Sequence, residues 1–251
     1  MIYLKSPEEI EKMRLANAIV VKVMKTLKPM IRPGVTTLEL DTVAQDLILR
    51  EGGKPAFKGY RGYAHALCVS VNEEVVHGVP GKRKLQEGDI VSIDCGVLYE
   101  GFYGDHAWTF PVGKVSKQAE KILEVGEKAL YLGIEQMRVG KRLFDISAAV
   151  QNFVESHGFS VVRDFVGHGI GRELHEEPQL PNFGVAGTGM KLKPGLVLAL
   201  EPMVNEGAFE VETLNDGWTV VTKDRKLSVH FEHSVAITEE GPDILSQGKN
   251  G

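Results

Sequence analysis

The sequence predicts an α+β chain of two related halves whose antiparallel strands join in one central sheet covered by helices, and three observations predict it. A helical pattern recurs at a shift of 106 residues, which aligns Gly34 with Gly140, Leu40 with Ile146, Gln45 with Gln151, Leu47 with Phe153, Ile48 with Val154 and Gly52 with Gly158. A strand pattern recurs at a shift of 107: LQEGDIVSID (85–94) lies against LKPGLVLALE (192–201), matching Leu85 to Leu192, Gly88 to Gly195 and Asp94 to Glu201. Finally, 251 residues at 43% hydrophobic content suffice for one domain with a sizeable core. Two blocks at nearly one shift indicate an internal duplication, with halves of about 1–110 and 111–251 inside a single domain, 1–251.

The elements follow in order. Ser6 caps a first helix, Pro7 takes its first position, Glu9 completes a capping box, and Ile10, Met13, Val20, Met24 and Leu27 trace its apolar stripe; Pro29 helps end it. A second helix starts near Thr36, with Glu39 three residues on, carries Leu40, Val43, Leu47 and Ile48, and stops at Gly52-Gly53. The stretch VSIDCGVLYEGFYGD (91–105) reads as a strand, a turn and a returning strand. A two-residue loop at Tyr99 and Glu100 would set Asp94 directly opposite Asp105, where like charges repel. Either a different register separates them or a cation holds them together. Alternation turns Cys95 away from the Asp94 face, into the core. A long helical segment, about Ser116 to Met137, precedes the second copy of the repeat. In KLSVHFEHSVAIT, alternation puts Glu232 on the face opposite Phe231, Val235 and Ile237.

Composition excludes several classes. The 29 basic and 34 acidic residues give a net charge of -5 with no long run of either sign, so no global footprint for nucleic acid exists. The start, MIYLKSPEEIEKM, lacks a signal-peptide pattern, and no apolar run approaches the ~18 residues of a membrane span. A cytoplasmic address is expected. Cys68 and Cys95 form no CxxC pair and are expected as reduced thiols. GHGIGR fails as GxGxxG because Arg172 stands at the third glycine; GxxxxGK[ST], HExxH and GxSxG are absent.

What remains is a constellation. Asp94, Asp105, Glu201 and Glu232 all fall on sheet strands, and four converging carboxylates are tolerable only with cations, about two divalent ions by charge. Paired ions about 3.5 to 4 Å apart are a known hydrolytic device. His168 lies between Gly167 and Gly169, which allows close approach; His175 follows, and His77 ends the short apolar run of NEEVVHGVPG. Singly, each of these residues reads as structural. Their coincidence points to a metal-dependent hydrolytic site.

With Asp94, Asp105, His168, Glu201 and Glu232 in this order, and with KPAFKGYRGY, CVSVNEEVVHG, GDIVSIDCG, GFYGDHAWTF, VGHGIGRELHEEPQ, LALEPM and HFEHSVAIT along nearly the whole chain, the sequence resembles the bacterial type I methionine aminopeptidases. The resemblance implies the pita-bread fold, two pseudo-symmetric halves around an antiparallel sheet. It implies removal of the initiator methionine from nascent chains before a small second residue. The five named residues would hold two divalent ions (cobalt, manganese, iron or zinc), Asp105 and Glu232 bridging them, with Glu201 doubling as proton acceptor. Phe57, Tyr60, Tyr63, Cys68, Leu174 and Trp218 match the methionine pocket, and His77 and His175 match positions beside the scissile bond. Leu174 and Phe57 stand where relatives sometimes carry an aromatic and a small residue; His106 stands where small residues are common, and alternation points it off the metal face. A monovalent cation near Asn72 and Ser228, transient ribosome association and a monomeric state are further expectations. By the same resemblance, no preceding substrate domain, no type II insert and no zinc-binding extension are expected. Two alternatives stay open: an X-Pro aminopeptidase or dipeptidase of the same fold, and a non-catalytic binding protein.

Overall fold

The computed structural model describes residues 2–247. Four helices form where local signals place them: α1 (Pro7–Leu27), α2 (Thr37–Arg50), α3 (Lys117–Glu135) and α4 (Leu143–Ser156). Ser6 with Glu9, and Thr36 with Glu39, close capping boxes, and Ser116 accepts from the Ala119 amide. These contacts satisfy N–H groups that a helix start leaves orphaned.

The duplication is visible in the backbone. The bounds of α2 and α4 are offset by 106 residues at both ends. The isolated bridges Thr36 to Lys84 and Arg142 to Lys191 are equivalent, offset by 106 residues at one end and 107 at the other, as the helix and strand repeats are. Gly34 and Gly140, at φ +94 and +93, occupy equivalent turns before their helices that only glycine adopts without strain.

Each half lays its helix pair on one face of its strands. In the first, Val20, Leu40 and Ile48 pack on Val69, Ile93 and Cys95; in the second, Leu130, Ile146 and Val150 pack on Leu198 and Val235. Each such side chain fully buried contributes about 1.5 to 3 kcal/mol. The other face of the strands, freed from helix contact, is available to polar residues. All ladders are antiparallel. The halves meet where the Phe102–Pro111 strand runs beside 230–234: the Glu232 amide donates to the Ala107 carbonyl at 2.9 Å, and the Ser234 hydroxyl donates to the Asp105 carbonyl at 2.8 Å. This is the pita-bread fold.

Three details differ from expectation. The Ile90–Tyr99 and Phe102–Pro111 strands turn at Glu100 and Gly101, so Asp94 opposes Ala107 and Asp105 opposes Gly96. Both turn residues have positive φ, 48 and 81, the conformation a two-residue hairpin turn demands, and Gly101 supplies it where Tyr99 would not. The carboxylates are therefore diagonal neighbours on one face. Second, Asp94 lies within its strand, but Glu201 falls just beyond Val197–Leu200 rather than on it, where Pro202 offers no N–H to extend the ladder. Third, 228–237 splits into Ser228–His230 and His233–Ile237, with Phe231 and Glu232 between them.

Candidate metal centre

The sheet face turned from the helices carries the acids. Asp94, Asp105, His168, Glu201 and Glu232, from five separate segments, converge on the floor of one cavity. One ligand atom each from Asp105, His168 and Glu232 lies within 4.8 Å of the others, and all three residues are buried. Glu201 stands between two imidazoles, its Oε1 3.5 Å from His168 Nε2 and its Oε2 3.5 Å from His230 Nε2. His168 Nδ1 donates to the Gly169 carbonyl at 2.9 Å, which leaves the Nε2 lone pair for the cluster.

Electrostatics describe an environment made for cations. Burial raises the Asp94 carboxyl to about 7, with Glu201 adding to it and His230 opposing, and burial raises Glu201 to about 8. Burial raises Asp105, with Asp94 next in weight, and likewise Glu232, with Asp105 next; both go well above the carboxylate range. Burial lowers His168 to about 3, so its ring stays neutral. Among the described residues, Asp94 Oδ1 and Glu232 Oε1 are buried with no hydrogen-bond partner. Buried acceptors without donors are costly, and a hard or borderline divalent ion satisfies them. The donor set fits the metal that the sequence implied.

Above this floor, Phe57, Tyr60, Tyr63, Cys68, Leu174 and Trp218 line the same cavity, of about 310 Å³. Cys68 sits on the strand opposite Asp94, and burial holds its thiol protonated. The Tyr63 hydroxyl is anchored on the Leu67 and Gly78 carbonyls, and its ring meets Trp218 edge-on at 5.0 Å. Asp216 accepts from the Trp218 and Thr219 amides, fixing the turn that presents the indole. His175 and His77 occupy the walls. The Tyr60 hydroxyl lies 2.9 Å from His175 Nδ1. His77, at φ 59, stacks edge-on with Phe165, and burial lowers it to about 4. All the candidate site residues therefore line one cavity.

Sequence reasoning missed His230, Arg61, Asp164 and Phe165, which border or line this space. Period two from Glu232 would have found His230. The other three carry no periodic signal. His106 points away from the metal face, as alternation requires, and stacks on His233 at 4.7 Å behind the site. Asn72 and Ser228 adjoin, the Ser228 amide donating to the Asn72 carbonyl.

Residues 11–239 match metallopeptidase family M24. The chain belongs to that family. Among M24 relatives, a methionine aminopeptidase of Clostridium perfringens is 54% identical over 98% of this chain and 99% of its own length. A solved methionine aminopeptidase of Thermotoga maritima superposes with a TM-score of 0.97 at 48% identity, covering 99% of this chain and 100% of that one. A prolidase of Pyrococcus furiosus, at 24% identity and a TM-score of 0.80 over 98% of this chain and 66% of its own, shares the M24 fold alone. Among the described residues no helix is long and apolar enough to cross a membrane.

Proposed function

We propose that the chain removes the N-terminal methionine from peptides and nascent proteins whose second residue is small. One observation carries this reading: the buried cluster of carboxylates and histidine and the aromatic, thiol-lined pocket open into the same cavity. Asp94, Asp105, His168, Glu201 and Glu232 would hold two divalent ions, drawn from manganese, iron, cobalt and zinc. Such ions, when bound, polarise a carbonyl and bring the pKa of water near neutrality.

The remaining work falls to the chain. Glu201, held among His168 and His230, accepts the proton released in hydrolysis. With the Tyr60 hydroxyl donating to Nδ1, His175 carries its proton on Nε2 and donates to the scissile amide or its developing oxyanion. His77, kept neutral by burial, serves from the other wall. The six pocket residues suit an unbranched thioether and would leave an acidic side chain buried and unpaired. The whole chain acts as one catalytic domain, a cytoplasmic monomer meeting its substrates through transient ribosome association, with no membrane or nucleic-acid partner. A monovalent cation beside Asn72 and Ser228 completes the reading.

The test is chelation followed by reloading with each metal, assayed on Met-Ala-Ser, Glu-Ala-Ser and Ala-Pro-Ala. Turnover of Met-Ala-Ser only in reloaded samples is expected. Preference for Ala-Pro-Ala would favour the X-Pro enzymes, and metal uptake without any hydrolysis would favour a binding protein.

A further inference from the structure

A buried ion pair outside the metal cluster ties Lys5, near the start of the chain, to the loop that carries Leu174 and His175. Lys5 Nζ lies 2.5 Å from Glu176 Oε2, and the two side chains are only 4% and 5% exposed. The other Glu176 oxygen accepts from the Arg172 amide at 2.8 Å and the Glu173 amide at 3.3 Å, closing the loop 172–176 on itself. Leu174 and His175 ride on that loop. The protein is built around Lys5: its amide donates to the Gly195 carbonyl at 2.7 Å, and a Cβ at Gly171 would collide with its side chain.

The geometry points to Lys5 as a positioning residue that, through Glu176, holds Leu174 and His175 against the substrate; this rests on the aminopeptidase reading above. A buried ion pair adds little net stability compared with apolar residues of the same volume, so stability alone does not account for it. Removing one partner, however, leaves a charge buried and unpaired. The loop relieves that cost by moving the Glu176 carboxylate towards water, and His175 moves with it. Displacement of a substrate-contacting group by about 1 Å costs on the order of 10²-fold in rate. His168 keeps its own ladder partners, Gln179 and Ala199, while its neighbour Gly169 pairs with Glu176 and its ring lies 4.3 Å from that of His175, so metal content is measured beside rate.

The experiment compares Lys5→Met and Lys5→Arg with the wild-type chain, all metal-loaded. Lys5→Met should keep its metal by elemental analysis and lose about tenfold or more in kcat on Met-Ala-Ser. Its amides at 171–176 should exchange faster with deuterium, and the His175 ring resonances should shift while those of His77 stay. Lys5→Arg, which keeps the charge, should restore most of the rate. Should Lys5→Met fail to fold, Glu176→Gln carries the same readouts, since its carbonyl still accepts from Arg172. Wild-type exchange and an unmoved His175 resonance in the folded variant would overturn the assignment, as would a loss of kcat no larger than the loss of folded protein. If the wild-type chain itself left Met-Ala-Ser uncut, the aminopeptidase reading would fall, while exchange and resonance would still decide what Lys5 does.

Discussion

At the scale of single residues, the three histidines of the cavity divide by what their nitrogens touch. His168 offers Nε2 to the carboxylate cluster, whereas the Nδ1 of His175 is engaged by Tyr60 and His77 packs on Phe165. His168→Ala should therefore lose metal and activity together. His175→Ala and His77→Ala should keep metal and fold but lose on the order of 10² to 10³ in kcat, the usual effect of deleting a donor that strengthens in the transition state. Elemental analysis beside steady-state kinetics checks the three variants. A metal-depleted His175→Ala, or one with full kcat, would refute the division.

At the scale of the element, the hairpin turn sets the relation of Asp94 to Asp105. Gly101 at φ 81 and Glu100 at φ 48 make the strands pair Gly96 with Asp105, so the two acids sit diagonally on one face. Moving the turn by one residue along the chain would change that register. Gly101→Val puts a β-branched side chain in the left-handed region and should cost about 1 to 2 kcal/mol. Urea denaturation of the metal-free protein measures this. An unchanged midpoint would mean that the turn does not hold the register. The starts of α1, α2 and α3 lack this sensitivity, because the Ser6, Thr36 and Ser116 caps each close within four residues of chain.

At the scale of the molecule, four raised carboxyls link stability to pH. Asp94 and Glu201 bind protons up to about 7 and 8 when folded and only to the ordinary carboxylate range when unfolded. Between those values the folded state holds more protons, so the metal-free protein loses stability as pH rises through them. His168 and His77, lowered to about 3 and 4, act oppositely, but only as pH falls below their ordinary 6.5. A comparison between about pH 6.5 and 8 therefore reads mainly the acids, because the buried Cys68 and Cys95 thiols add a loss of the same sign only nearer the ordinary thiol pKa of about 8.5. The Tm of the chelated protein should fall across that window, and the rise in Tm on adding a divalent ion should grow. A flat or rising Tm without metal would contradict the linkage.

By itself the sequence determined the class of fold, the helices, the duplication and most, though not all, of the residues that meet at the cavity. These are readable because capping and alternation act within a few residues, and because the five ligand candidates stand in an order that resembles a known family. Only the tertiary structure decided the hairpin register, the break at Phe231 and Glu232, the imidazole of His230 beside Glu201, and the burial of Lys5 against Glu176. Each of these depends on what one segment meets from another, the last pair 171 residues apart. The reason is physical. Period and composition specify which face of an element is apolar, but the neighbour a buried charge finds there is set by packing, which no local pattern encodes.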